Sequence, residues 1–525
     1  MKKENIWNII LSAVLVLMTV ACGLTVAVVV RLDMLPTKYI LILAGIFALL
    51  LLATGLLMFL HRRGKKVGTA RRIIACVLAA LIVGGCAALC VVATDIYEAM
   101  QNITTPPDST TTRGLYVRME DPAQALEDAA QYKFAAVENY DTDGTEQVLE
   151  YLRYTLGKEP DVTYFATVTA MIDALYSGDV GVMILNGATI EILVEELDVY
   201  TDFSHKVRLL YDVPIQEWTP PEDPTESTGS TEATGSTEQT EGTTPTIPSD
   251  DVYEGIATKP FVVYIGGSDS RSSKLYKNTR YDVNILAVVN PMTKQVLLIN
   301  TPRDYYVENP AGKGAKDKLT HCGNFGVNCS IQALEGLYGI DVDYYARINF
   351  EGFKKLIDAI GGVPFYSDKN FTTSSGYVIK QGLNQLDGKM ALAVARERYS
   401  HSNGDHERGK NQMKIIKAAI NKLTSGTTVI SNYSQILSSL SGMFDTNMSM
   451  EDISNLVKMQ LGDLALWNVQ TYAVTGRGGY AETYSMPGWQ LSVIHPNETK
   501  VAYATELAKR VLDGKIITEK DVTAK

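Results

Sequence analysis

The sequence predicts an α/β chain: an α/β/α layered domain, preceded by a small α/β unit and three membrane-spanning helices. Three observations predict it. From residue 255 onward, apolar runs of strand length alternate with amphipathic helical stretches. A shorter alternation of the same kind fills residues 94–217. Three long uncharged runs stand near the N-terminus. A chain of 525 residues also exceeds what one core supports, so several units are expected.

The uncharged runs are Ile9–Val30, Ile40–Leu60 and Ile73–Ala93. Each has about 21–22 residues, close to the roughly 20 that a spanning helix needs. Lys2, Lys3 and the "TVACG" around Cys22 give the first run some features of a cleaved leader. Thr19 fits poorly three places before the cysteine, and two more spans follow, so the run reads as a retained helix. "HRRGKKVGTARR", between the second and third runs, carries six Lys/Arg, and "RLDMLPTK", between the first and second, carries two. The more basic loop stays cytoplasmic, which puts the N-terminus inside and everything after Ala93 outside. Residues 1–93 are therefore a three-helix anchor in the cell membrane.

Cys22, Cys76, Cys86 and Cys90 fall within the spans, as small apolar fillers. Cys322 and Cys329 fall outside, where a disulfide between them is expected and two buried thiols are the alternative. Two cysteines do not complete a zinc site. A net charge of −11 and a pI near 5.2 argue against nucleic acid as a bulk partner.

Residues 94–217 read as an accessory α/β unit. "KFAAV" is strand-like, and "GTEQVLEYLRYTL" is a helix with Val148, Leu149, Leu152 and Leu156 on one side, capped by Asp143 or Thr145. "ATVTAMIDALYSG" stops at its glycine, and "DVGVMILN" is a buried strand. At the level of fold alone the pattern resembles a lobe of an extracellular solute-binding domain. No site chemistry is visible in it, and a packing or docking module is its plainest reading. Residues 218–252 are Thr, Ser, Glu, Gly and Pro with almost nothing to bury, so a disordered acidic tether is expected.

The main domain is expected at 253–515, with 516–525 as a tail. "PFVVYIGG" is a continuous apolar strand, as in a sheet covered on both faces. "VNILAVVN-PMTK-QVLLINTPRD" reads as strand, turn and strand, and "DVDYYARINF" as another strand. "NCSIQALEGLYG", "EGFKKLIDAIGG", "LDGKMALAVAR" and "HERGKNQMKIIKAAINKL" are helices. In the second of these, Phe353, Leu356, Ile357 and Ile360 form one stripe.

Polar residues cluster at the ends of these elements in four groups. They are Asp269 and Arg271 in "GGSDSR", Arg280 and Asp282 in "TRYD", Arg303 and Asp304 in "TPRD", and Arg396, Arg398, Asp405, Arg408 and Gln412 in "ARERYSHSNGDHERGKNQ". Arginine suits planar, bidentate recognition of phosphate oxygens. Aspartates beside phosphate hold Mg²⁺ or a similar hard cation. The alternation therefore predicts a pyrophosphate site with a divalent metal. A single Arg/Asp pair at a loop tip is commonly a surface salt bridge worth about 0–1 kcal/mol, but four groups flanked by apolar strands or helices are harder to read that way.

"GGSDSR…TRYDVNILAVVNPMTKQVLLINTPRDYYV…DKLTHCGNFG…DYYARINFEGFKKLIDAIGGV…GLNQLDGKMALAVARERYSHSNGDHERGKNQ" resembles the LytR-CpsA-Psr (LCP) family of bacterial envelope proteins over most of 255–425. The resemblance implies an LCP-type catalytic domain outside the membrane. It implies a phosphotransferase that moves a glycopolymer, such as teichoic acid or capsule, from an undecaprenyl-pyrophosphate carrier to peptidoglycan, with Mg²⁺ or Mn²⁺ as cofactor. By motif, Asp269 and Asp282 fall on the metal-associated aspartates. Arg280, Arg303, Arg396 and Arg398 fall on the pyrophosphate-binding arginines, and Asp405, Arg408 and Gln412 match "GDxxR…Q". Arg271 would clamp phosphate or orient Asp269, and Asp304 and Asp405 would support the set. Asn411 stands where many members have another arginine. Cys322 and Cys329 stand where many have small residues.

Other residues point nowhere else. His321 and His406 read as surface or hydrogen-bonded histidines, with a proton shuttle as the alternative. Lys318 reaches phosphate or solvent. Ser268 and Ser270 lack a triad context, and "GGSDSRSSK" has no glycine before Lys274, as a phosphate loop would. Tyr344 and Tyr345 read as strand packing. Two further functions stay open at this point: a non-enzymatic sensor of polyprenyl pyrophosphate or envelope polymer, which needs no metal, and a DNA-binding transcriptional regulator. The external placement of the motifs and the lack of a basic recognition helix oppose the second.

Overall fold

The structure is a computed structural model, describing residues 2–59, 69–104, 110–216, 255–268, 275, 278–400, 404–425, 435–437, 439–440 and 442–523. The expected tether at 218–252 lies outside the described residues.

Helices α1 (Lys2–Leu32), α2 (Thr37–Phe59) and α3 (Thr69–Thr104) are long and apolar enough to cross a membrane. Helix α3 runs on past Ala93, and its last turns leave the apolar bundle. There Ala99, Met100 and Ile103 are buried in one cluster with Ile357 and Leu440 of the main domain. Asp33 pairs with Lys458 at 2.9 Å, and Tyr39 Oη donates to the Leu461 carbonyl at 3.2 Å. The three-helix bundle thus docks on the main domain at the C-terminal ends of α1 and α3 and the start of α2.

The accessory unit is a five-stranded sheet of β1 (Thr110–Arg118), β2 (Lys133–Val137), β3 (Asp161–Phe165), β4 (Val182–Leu185) and β5 (Val207–Gln216), in the order β3-β2-β4-β1-β5. It carries α4 (Thr142–Leu156), α5 (Val168–Ser177) and α6 (Gly187–Glu196). Neither Asp143 nor Thr145 caps α4. Asp141 stands at that position in a left-handed conformation, and its carboxylate pairs with Arg113 at 3.1 Å instead. Helix α5 ends at Gly178, whose φ of 86° favours glycine.

The main domain is built on a six-stranded sheet. Its strands are β6 (Phe261–Ser268), β7 (Tyr281–Asn290), β8 (Gln295–Asn300), β9 (Tyr344–Asn349), β10 (Phe444–Thr446) and β11 (Asn468–Ala473), in the order β10-β9-β6-β7-β8-β11. Its helices include α7 (Val327–Tyr338), α8 (Phe350–Ala359), α9 (Gly388–Arg396), α10 (Gly404–Thr424), α11 (Met450–Asp463) and α12 (Glu498–Leu512). The two-residue period of the strands sorts their side chains. Tyr264, Leu286, Val288, Leu297 and Ile299 pack with Leu334 of α7 and Leu507 of α12. Val263, Ile285, Ala287, Val296 and Leu298 pack with Met413 of α10 and Leu456 of α11. This is the α/β/α layering that the apolar strands predict.

Candidate functional site

Register puts the arginine motifs at one sheet edge. Strand β7 pairs antiparallel with β8, with Ile285 opposite Asn300. Asp282 lies three residues before that pair and Arg303 three after it, so both emerge at the same end. Strand β9 runs parallel to β6 and delivers Asn349 beside Ser268 at this edge. There Asn349 caps α8, its Oδ1 accepting from the Gly352 amide at 2.8 Å.

Helices α9 and α10 bring the remaining motif. Gly409 lets α10 come close, because a Cβ there would lie 2.6 Å from Asn300 Nδ2. Gln412 Nε2 donates to the Ala395 carbonyl at 3.1 Å, which ties α10 to the end of α9. The Arg396 guanidinium lies over the Phe350 ring at 4.5 Å from its centroid. Between Arg396 and Arg398, Glu397 turns the other way. It is 1% exposed and accepts from Ser374 Oγ and the Ser400 amide, each at 2.9 Å. Burial pushes its carboxyl up, but the Ser374 and Ser400 donors outweigh this and hold it below the ordinary range.

These elements enclose a cavity of about 530 Å³, lined at once by Asp282, Arg303, Arg396, Arg398, Arg408 and Gln412. Glu195, Ser268 and Asn349 also line it, and most of the remaining wall is apolar. Arg408, Gln412, Ile416 and Ile420 follow one another at four-residue spacing along α10, with Leu423 beyond, and all five line it. At 1.5 Å per residue the stripe from Arg408 to Leu423 covers about 22 Å. The cavity therefore runs from a cationic end to an apolar one. The apolar end includes Leu356, Ile357, Leu423 and Phe444, which belong to the cluster that holds the end of α3. A second cavity, of about 290 Å³, shares Asp282, Arg303, Arg408 and Gln412 and adds Asp304, Asn300 and Thr475.

Arg303 is the most heavily paired group. Its Nη1 donates to Asp282 at 2.6 Å and its Nη2 to Glu195 at 3.0 Å, and its Nε lies 3.5 Å from Asp304. Burial pushes this guanidinium down, and Asp282, Asp304 and Glu195 push it up by more, so it stays charged. An apolar groove joined to a cluster of arginines is suited to an amphiphile with an anionic head.

Residues 225–500 match the LytR_cpsA_psr family model. The chain belongs to this family. It is 35% identical over 199 residues to the protein named polyisoprenyl-teichoic acid–peptidoglycan teichoic acid transferase TagU of Enterococcus faecalis, covering 38% of this chain and 65% of that one. The protein of the same name from Oceanobacillus iheyensis is 35% identical over 219 residues, 40% of this chain and 66% of that one. The chain thus spans just under two thirds of the length of either relative. Among solved structures, the Lin1025 protein of Listeria innocua is 31% identical, with 49% of this chain and 100% of that chain covered and a TM-score of 0.39.

Not every expected site residue of this LytR_cpsA_psr member reaches the large cavity. Asp269 and Arg271 lie outside the described residues, as does the side chain of Asp405. Arg280 is buried but turns to Glu195 and Glu191 of α6. Asp304 lines the smaller cavity only. Lys318 does not face solvent, and its Nζ lies 3.8 Å from Asp304 Oδ1. It is 2% exposed and pairs with Glu196. His321 is buried, its Nδ1 2.7 Å from Asp317 Oδ1, and the side chain of His406 lies outside the described residues.

Cys322 and Cys329 are free thiols in the structure, so the expected bridge is not formed there. Both are fully buried. The Cys329 thiol donates to Asn309 Oδ1 at 3.2 Å, while a hydrogen bond with Cys329, together with burial, holds the Cys322 thiol well above its ordinary value. A thiol kept protonated and away from solvent is a poor partner in exchange.

Three features were not legible in the sequence. Glu195 lines the large cavity although it belongs to the accessory unit, where no site chemistry was visible. Arg347 and Asp445 form a buried pair that also donates to Tyr281 Oη at 3.1 Å. Glu397, between Arg396 and Arg398, is buried although its neighbours in sequence are charged.

For a divalent ion, Asp282 is the carboxylate that both cavities share. Among the described residues no group of three or more His, Cys, Asp or Glu gathers for a metal. Mg²⁺ is commonly held by one or two carboxylates with substrate phosphates and water, and Asp282 fits that mode.

Proposed function

We propose that this chain is a phosphotransferase that moves a glycopolymer from an undecaprenyl-pyrophosphate carrier to peptidoglycan. The observation that carries the reading is the single cavity that joins four arginines to an apolar groove. The prenyl tail lies along Ile416, Ile420 and Leu423, and the diphosphate lies among Arg303, Arg396, Arg398 and Arg408. Two placements support it. The apolar end packs near the outer end of α3, where a lipid would arrive from the bilayer. The six Lys/Arg between the second and third apolar runs favour a cytoplasmic loop, which would leave the main domain outside.

In the reaction, a peptidoglycan hydroxyl oxygen attacks the phosphorus that carries the polymer. The new P–O bond forms as the bond to the bridging oxygen breaks. Prenyl phosphate leaves with that electron pair, and the hydroxyl proton is released. The guanidiniums stabilise the charge that gathers on the phosphoryl oxygens and the leaving group. Mg²⁺ or Mn²⁺ would supply further charge neutralisation when bound, and Asp282, with Asp269 by motif, would hold it.

The test is full-length protein in detergent with a lipid-linked glycopolymer, Mg²⁺ and peptidoglycan fragments. Prenyl phosphate release that requires the acceptor supports transfer. Release without acceptor identifies a hydrolase. Tight donor binding with no release in any condition favours the sensor reading and overturns this one.

A further inference from the structure

Helix α6 presents Glu191, Glu195 and Glu196 to the cations of the main domain. Glu195 is the carboxylate held between Arg280 Nη1 and Arg303 Nη2, the latter at 3.0 Å. Glu191 lies 4.0 Å from Arg280 Nε, and Glu196 pairs with Lys318. Glutamates in the last turn of a helix face the negative end of its dipole and lose stability within α6 alone. What favours them is the facing cations, Arg280 and Arg303 for Glu195 and Lys318 for Glu196. Burial pushes the Glu195 carboxyl up, and Arg280 and Arg303 pull it below its ordinary range.

Arg303 does not need this partner for neutrality, since Asp282 and Asp304 already stand at 2.6 and 3.5 Å. Glu195 is the more accessible member: its side chain is 40% exposed, against 8% for Arg280 and 9% for Arg303. The unit behind it is docked firmly. Asn186 Nδ2 donates to the Asn324 carbonyl at 2.8 Å, and Tyr140 packs edge-on against Phe325 with ring centroids 6.1 Å apart. The carboxylate is thus tethered at high effective concentration beside the anion site.

We infer that Glu195 is a specificity-determining residue of the donor site: its carboxylate occupies the guanidinium N–H groups of Arg280 and Arg303 until a ligand of higher negative charge displaces it. The inference rests on the proposed donor reading. A diphosphate carries more charge and more acceptor oxygens than one carboxylate, and so replaces it. Monoanionic amphiphiles that fit the groove do not. Rotation of the Glu195 side chain suffices, and the accessory unit stays docked.

The experiment measures farnesyl diphosphate binding to full-length protein in detergent. Glu195→Gln, which keeps shape and removes charge, is expected to tighten binding about tenfold. Glu195→Ala gives the same direction by removing the group. Farnesyl monophosphate gains by a similar factor in both variants, because the same carboxylate no longer has to be displaced. Glu150→Gln, the same charge change at an exposed position of α4, leaves affinity unchanged. Unchanged or weaker binding by both Glu195 variants, while Arg303→Ala still abolishes binding, overturns the inference and leaves the donor site standing. Failure of folded wild-type protein and of every variant to bind removes the donor reading and this inference with it.

Discussion

Arg303 and Asp282 meet at 2.6 Å on the wall common to both cavities of the site. The pair links the start of β7 to the loop that leaves β8. It sets the guanidinium fork in place before any ligand arrives, so less order has to be gained on binding.

Arg303→Ala should therefore remove prenyl phosphate release by about 10²–10³-fold, the cost typical of one lost transition-state donor. Arg303→Lys should recover only part of this, because an ammonium keeps the charge but loses the planar fork. Initial rates over a range of lipid-linked donor concentrations, read as kcat/KM, check both. Equal rates for Arg303→Lys and wild type would show that charge alone matters.

The apolar stripe of α10 makes a separate prediction. Ile416 lines the large cavity one turn beyond Gln412. Ile416→Trp should fill the groove and weaken farnesyl diphosphate binding by at least tenfold, while inorganic pyrophosphate still binds. Titration of both probes on one preparation checks it. Parallel loss of both affinities would mean that the tail does not lie along α10.

How much of this could be read from residues alone varies with distance along the chain. Strands β6 to β8 were legible because burial on both faces leaves an unbroken apolar run. Arg303 was legible because its motif sits at the end of such a strand. The switch from Arg408 and Gln412 to Ile416 and Ile420 is printed at helical spacing. Glu195 was not legible, because its partners belong to another unit and only docking brings them together. The cap of α4 was misjudged for a related reason: Asp141 is engaged by Arg113 from a neighbouring strand, a contact that local sequence does not show.

Glu397 makes a pH prediction. Its carboxyl is held below its ordinary 4.5 in the folded protein. A depressed carboxyl contributes stability that is present above the unfolded value and lost as pH falls through the folded one. The melting temperature of wild type should exceed that of Glu397→Gln at pH 7, and the gap should close as pH falls below about 4.5. Loss of the gap should accompany weaker diphosphate binding, since Glu397 fixes the backbone from which Arg396 and Arg398 project. A gap that stays constant from pH 7 to pH 3 would show that the charge of Glu397 does not hold this segment.

Arg347 and Asp445 test whether a buried arginine beside the site serves chemistry or the fold. Arg347 Nε donates to Asp445 Oδ1 at 2.7 Å, joining β9 to β10, and the two side chains are 3% and 6% exposed. Neither lines the large cavity. Removing one partner of such a pair strands a charge in the interior and costs about 3–5 kcal/mol. Asp445→Ala should lower stability by that amount in urea unfolding. A double replacement by apolar residues of similar size should recover most of it, because no charge is then left unpaired. Since Arg347 also donates to Tyr281 Oη, one residue from Asp282, some loss of rate is expected in the single variant. The two roles separate in the double variant: recovery of stability without recovery of rate would assign Arg347 to the positioning of Tyr281 and Asp282, and recovery of both would make the pair purely a clamp between strands.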